Sequence, residues 1–149
     1  PFSAVESFDL TSVTDIVHSM FGPEADARGS RFRYVPPPHQ VQSDPLILMR
    51  MGSNLVSNAL NHSGATAIRL GSCLRGEFIH LYVADNGKGM EADDMARFIR
   101  HGERGQGSTG EGLGLAFVHE AAANLGHRVL IRSRPGKGTV VFLTLEPSP

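Results

Sequence analysis

An α+β sandwich, with helices packed on one face of a mixed sheet, is the fold this sequence predicts. Three observations carry it. Helical and strand periodicities alternate along the chain from about residue 8 to residue 145. The stretch 45–62 is an apolar helix, with Leu48, Leu55 and Ala59 on one stripe and Met49, Val56 and Leu60 on the next. Residues 77–84, Glu-Phe-Ile-His-Leu-Tyr-Val-Ala, are almost continuously apolar, as in a strand at the centre of a sheet.

Taken in order, residues 8–20 place Leu10, Val13, Ile16, Val17 and Met20 at helical spacing, with Asp9 or Thr11 as the cap. His18 falls off that stripe and is expected to be exposed. Residues 31–35 alternate like a half-buried strand, which Pro36, Pro37 and Pro38 end. Residues 39–42 read as a second short strand, forming a hairpin with the first. Asp44 then caps the central helix, Pro45 suits its first position, and Gly64 lies just past its end.

Residues 66–74 and 77–84 read as two strands around a turn at Arg75 and Gly76. A short acidic helix is expected over 91–99. Residues 102–114 carry six glycines in thirteen positions. Residues 113–125 resume helical character, stopped by Gly126. Residues 128–132 and 139–145 are closing strands.

With 149 residues and 40% hydrophobic content, residues 1–149 are expected to form one domain with one core. The net charge is −1 and there is no run of like charges, so nothing in the sequence points to a nucleic-acid arm or a membrane-surface patch. No apolar stretch nears the roughly 20 residues that span a bilayer, and there is no signal peptide. The single cysteine, Cys73, reads as a small core residue in a chain of the reducing cytoplasm. The start at Pro1 reads as a cut from a longer polypeptide.

Asn54, Asn58 and Asn61 recur at i, i+4 and i+7 on the central helix, beside His62. A buried amide without a partner costs about 1–3 kcal/mol. These side chains therefore either cap nearby loops or face a polar ligand. Asp85-Asn86-Gly87-Lys88-Gly89 follows the most apolar strand. An ionised carboxylate only accepts hydrogen bonds, so its natural partner is an exocyclic amino group such as adenine N6, while the carbonyl of guanine would be repelled. An ordinary Asx turn weighs equally for this motif alone. The glycine-rich loop leading into a helix is suited to phosphates, with a flexible linker as its rival. It matches neither a Walker A loop nor a dinucleotide fingerprint. Arg100 and Arg104 either reach a terminal phosphate or are solvated. His80, His101 and His127 have no metal-ligand spacing.

An Asn-x-x-x-Asn helix face, Asp-x-Gly-x-Gly, Gly-x-Gly-Leu-Gly-Leu and a late Gly-x-Gly-Thr occur in that order. In this the chain, from about Phe8 to Leu145, resembles the GHKL ATPase superfamily, and within it the catalytic domain of sensor histidine kinases. The resemblance implies a two-layer α/β sandwich of Bergerat type: a mixed five-stranded sheet covered by about three helices, with a mobile ATP lid near residues 99–111. It implies ATP and Mg²⁺ as cofactors. Asn58 would hold the metal with Asn54 beside it, and Asn61 and His62 would line the nucleotide. Asp85 would hold adenine N6, with Gly87, Gly89, Met90 and Thr139 around the base. Gly110, Gly112, Leu113 and Gly114 would wrap the phosphates, with Arg100 and Arg104 adding positive charge and Arg104 counted with the catalytic groups.

Hydrolysing members of the superfamily carry a glutamate general base at the position of Asn54. An amide has no useful basicity, so the resemblance implies a kinase. Its acceptor would be a histidine on a separate dimerising helical-hairpin domain of the same polypeptide, followed by a response regulator. His119-Glu120 has the look of an acceptor motif but lies inside the helix after the lid. Where Asn61 stands the family often has Lys or Arg, and His101 replaces the second lid phenylalanine, leaving Phe98. A pseudokinase or nucleotide-binding interaction module is the rival from another class, and an anti-sigma-type serine kinase the rival within the superfamily.

Overall fold

The computed structural model describes residues 4–99 and 110–149. Its elements are β1 (Glu6–Asp9), α1 (Thr11–Ala27), β2 (Arg31–Tyr34), β3 (Gln40–Ser43), α2 (Pro45–Asn61), β4 (Ala67–Arg75), β5 (Phe78–Asp85), α3 (Ala92–Ile99), α4 (Gly110–Leu125), β6 (Arg128–Arg134) and β7 (Gly138–Pro147). The sheet runs β1-β3-β7-β5-β4-β2, with β6 also paired to β7. The β2–β4 pair is parallel and the other pairs are antiparallel, so the sheet is mixed as expected. The described residues contain seven strands and four helices, where the family resemblance implies five and about three and the element-by-element reading gives six and four.

The strand absent from that reading, β1, is short. β1 was hidden because its four residues run straight into a helical pattern, and what makes it a strand is pairing with β3, which in turn pairs with the end of β7. The expected hairpin of residues 31–35 with 39–42 does not form. β2 pairs with β4 at one edge of the sheet, while β3 pairs with β1 and β7 on the other side of β5. Three consecutive prolines cannot make a tight hairpin turn; they hold the link extended and carry the chain across.

α1 also departs from expectation. It runs on through Pro23 to Ala27, and its N-cap residue, Leu10, makes no side-chain cap bond. Thr14 is buried in place of Ile16 and Met20, which are 47% and 53% exposed. His18, expected to be exposed, is half-buried, with its ring stacked on Tyr34 at 4.7 Å and edge-on to Phe32 at 5.0 Å.

α2 is built as its sequence specifies. The Asp44 carboxylate accepts from the Ile47 N–H at 3.1 Å, and Pro45 occupies the first turn, where its missing N–H is no loss. Gly64, at φ +69°, follows the helix in the left-handed conformation that glycine adopts freely. Leu48, Met51, Leu55, Val56, Ala59 and Leu60 are buried between the sheet and the flanking helices. Asp44 also accepts from the Ala4 N–H at 2.7 Å. Replacing Asp44 by alanine should therefore remove about 1 kcal/mol and lower Tm by about 2–4 °C. A thermal melt showing no shift would mean that the cap is immaterial.

β5 is central, paired with β4 and β7, but its burial alternates. Ile79, Leu81 and Val83 pack under the helices, while His80, Tyr82 and Ala84 are half-buried on the opposite face. Cys73 is likewise half-buried on that second face rather than in the core. No helix among the described residues is long and apolar enough to cross a membrane.

Candidate nucleotide site

The residues singled out from the sequence gather where α2 ends, β5 ends and β7 begins. Asp85 is the last residue of β5 and lies opposite Thr139 on β7. The loop that follows is stitched to two walls. On the α2 side, the Lys88 N–H donates to the Ser63 carbonyl at 2.8 Å, and the Asn86 Oδ1 accepts from the N–H groups of Thr66 and Ala67 at 2.9 and 3.0 Å. On the β6–β7 side, the Met90 N–H donates to Ser133 Oγ at 2.8 Å, and Gly136 N–H donates to the Lys88 carbonyl at 2.6 Å.

The glycines are demanded by these backbone approaches. A Cβ at Gly87 would sit 2.3 Å from the Ser63 carbonyl oxygen. At Gly89, where φ is +71°, it would sit 1.9 Å from that of Arg134. At Gly138 it would meet the Asp85 carbonyl at 2.1 Å. The close neighbour that requires glycine at 89 is thus the chain itself.

Asp85 is half-buried. Its Oδ1 accepts from the Gly87 N–H at 2.8 Å, so the Asx turn that competed as an explanation is present. Burial pushes the carboxyl above its ordinary range, while the N–H donors of Gly87 and Thr139 pull the other way. A carboxylate offers about four lone-pair sites, so those donors leave room for a ligand amino group. The Thr139 hydroxyl is held at 2.7 Å by Ser133 Oγ, which also donates to the Gly138 carbonyl at 3.0 Å.

On α2 the amide face divides. Asn54 and Asn58 are half-buried, and the Asn58 Nδ2 is buried with no hydrogen-bond partner among the described residues. That orphaned donor fits an incoming phosphate oxygen, which would relieve a penalty of about 1–3 kcal/mol. The described residues hold no cluster of three or more His, Cys, Asp or Glu able to bind a metal. A metal here therefore fits only as Mg²⁺ does, carried largely by substrate phosphates with few protein ligands. Asn61 is exposed and turned elsewhere: its Nδ2 donates to Ser57 Oγ and carbonyl at 3.0 Å, and its Oδ1 accepts from Arg28 at the end of α1. The structure thus does not bring Asn61 together with Asn58. His62 is the C-cap of α2, its N–H bonded to the Asn58 carbonyl at 2.9 Å.

α4 begins at Gly110, three residues before the expected start at Leu113, so Gly110 and Gly112, expected in the loop, join Leu113 and Gly114 in its first turns. The free N–H groups of a helix start suit phosphates just as a loop does. Arg100, Arg104 and most of the expected lid lie outside the described residues. Sequence reading missed Ser63, Asn86 and Ser133, which hold the loop in place. Asn86 carried a signal, since an Asn between Asp and Gly is a habitual turn builder; a lone serine on a strand carries none.

The family model described as "Histidine kinase-, DNA gyrase B-, and HSP90-like ATPase" matches residues 43–149. The chain belongs to this GHKL ATPase family. Among relatives of the GHKL domain, the aerobic respiration control sensor protein ArcB of Escherichia coli K12 is 30% identical over 93% of the chain and 19% of its own length. The sensor-like histidine kinase SenX3 of Mycolicibacterium smegmatis is 34% identical over 76% of the chain and 31% of its own length. The GHKL chain thus spans about a fifth to a third of these curated relatives. Among solved structures, full-length ShkA in complex with AMPPNP superposes with a TM-score of 0.83 at 21% identity, covering 99% of this chain and 32% of that one. The catalytic domain of the histidine kinase ThkA gives 0.79 at 18% identity, covering 98% and 99%. The α+β fold is therefore that of histidine kinase catalytic domains.

His127 reports on folding of this GHKL domain. It is 8% exposed, directly follows the Gly126 that ends α4, and shares a 2.7 Å hydrogen bond between its Nε2 and Ser43 Oγ. Burial lowers its pKa, a trend opposed by Glu146. The unfolded chain then binds more protons than the folded one just below the ordinary histidine pKa of about 6.5. Stability from this group is complete above that value and declines as pH falls through it. Urea denaturation at pH 7.5 and 5.5 should show the loss, and His127→Gln should flatten it; an unchanged slope would contradict the assignment.

Proposed function

We propose that this domain binds MgATP and passes the γ-phosphoryl group to a histidine on a partner helical-hairpin domain, from which it moves to a response regulator. The observation that carries the transfer reading is the amide at Asn54. It stands one turn before Asn58 on α2, where a general base for water would otherwise sit. With no carboxylate there, the chain has no group at that position to activate water.

In this reading Asp85 accepts from the adenine amino group, and Ser133 fixes Thr139 and Met90 beside it. Asn58 holds the metal–phosphate unit, and the N-terminal amides of α4 at Gly110 and Gly112 cradle the phosphates, with Leu113 and Gly114 in the turn behind them. Arg100 and Arg104 add charge, with Arg104 beside the transferring group. Bound Mg²⁺ would neutralise charge on the triphosphate. The protein's remaining work is positioning and electrostatics, since phosphoryl transfer asks for little covalent chemistry from the enzyme. Such a domain would work on the cytoplasmic side.

The test is incubation of the domain with γ-labelled ATP and a dimerising hairpin domain bearing an acceptor histidine. Acid-labile, base-stable label on the hairpin is expected. Label released as inorganic phosphate with none on histidine would overturn the transfer reading.

A further inference from the structure

The helices cover one face of the sheet, and among the described residues no element covers the other. That open face lies opposite the nucleotide site, because Asp85 shares the helix-side alternation of Val83 and Leu81. Its centre is apolar. Tyr82 stands beside Gly71 and Phe142 in register, and Phe142 stands beside Leu130. The rings of His80 and Tyr82 lie with centres 5.5 and 6.2 Å from that of Phe142. Tyr82 lies across Gly71, where a Cβ would meet its hydroxyl at 2.8 Å. Phe78, at the end of the stripe, is 43% exposed.

The cations stand at the edges. Arg31 and Arg33 on β2, Arg69 and Arg75 on β4, and Arg128, Arg132 and Arg134 on β6 are all exposed and share this face by register. The two strands between them, β5 and β7, contain no Lys or Arg. Against seven arginines the described strands set two carboxylates in alternation, Glu146 near the end of β7 and Asp9 at the end of β1. This is a local excess in a chain whose net charge is −1. At each side a concavity wraps around the margin of the sheet: one of about 590 Å³ runs from Arg31, Arg33 and Arg69 to Asp85 and Asn86, and one of about 830 Å³ runs from His80, Arg128 and Phe142 to Ala122 of α4.

We propose that this open face docks an acidic protein surface, one with an apolar centre and carboxylates on two opposite sides. Apolar centres with polar rims, rich in Arg and aromatic side chains, are the anatomy of protein interfaces. A nucleic acid or an anionic lipid layer presents charge across its whole footprint, including the middle, where this face has no cation. A second copy docked face to face would set arginines against arginines. Five strands at about 4.8 Å spacing make the face about 19 Å wide, and the eight residues of β5 at about 3.3 Å each make it about 26 Å long, an area of roughly 500 Å². That is below the usual footprint of roughly 800 Å² per partner, so the complex is transient and sensitive to salt.

The test uses the isotope-labelled domain with MgATP saturating, titrated with four probes: a glutamate–tyrosine random copolymer, poly-L-glutamate, single-stranded oligo-dT and phosphatidylserine vesicles. The copolymer should bind most tightly and shift the amides of β5 and β7. Combined charge reversal, Arg69→Glu with Arg75→Glu and Arg128→Glu, should weaken it by at least about tenfold while Tm and MgATP affinity hold. The proposal is overturned if oligo-dT or vesicles bind as tightly, if poly-L-glutamate matches the copolymer, or if the charge-reversed variant binds it unchanged.

Discussion

Asp85→Asn is expected to weaken MgATP binding by about a hundredfold, equivalent to roughly 2–3 kcal/mol. The carboxylate is the one acceptor-only group at the end of β5, and it is desolvated enough that burial raises its pKa. A hydrogen bond from the adenine amino group to an anion in such a place is worth more than one between neutral groups. Asparagine keeps the size and can keep the turn bond from the Gly87 N–H. What it loses is charge, and it gains an amino group that can oppose the base's own. Calorimetry would show the loss, with Tm little changed. Affinity equal to that of the parent domain would mean that Asp85 serves only its turn.

Gly89→Ala should be the most damaging small substitution in the site, costing about 3 kcal/mol or more. Two effects add. At φ +71° an alanine is strained, and its Cβ would lie 1.9 Å from the Arg134 carbonyl oxygen and 2.6 Å from its carbon. The obstacle is backbone in the β6–β7 turn, which cannot swing aside as a side chain can. Either the 86–90 loop or that turn must move, and both flank Asp85 and Thr139. A fall in Tm of about 6–12 °C and loss of ATP binding are expected together. An alanine variant that melts and binds normally would show that the turn is far softer than its contacts imply.

The parts of the fold that were legible in the sequence are those set by local chemistry. α2 announces itself through Asp44, Pro45 and the apolar stripes, and β4 and β5 through their shared turn. The glycine and Asp-Asn-Gly motifs mark the loop because the backbone conformations they allow are a local property. What stayed hidden is decided by distant partners. β1 exists because β3 lies beside it, and the two strands flanking the three prolines go to different partners, which no window of residues 31–42 reveals. Asn61 looks equivalent to Asn58 on a helical wheel, yet Arg28, thirty-three positions away, draws its side chain towards α1. The basic open face is the sharpest case. Its arginines are spread through three strands with no run of charge, so the sequence reads as free of patches while the sheet assembles one.

The measurement that tests the account most directly is a paired titration of the domain with MgATP and MgGTP. Because Asp85 accepts from the amino group of adenine and would face the carbonyl of guanine, ATP should bind below millimolar concentration and GTP at least about tenfold more weakly. Equal affinity for the two, or no binding of MgATP at millimolar concentration, would contradict it.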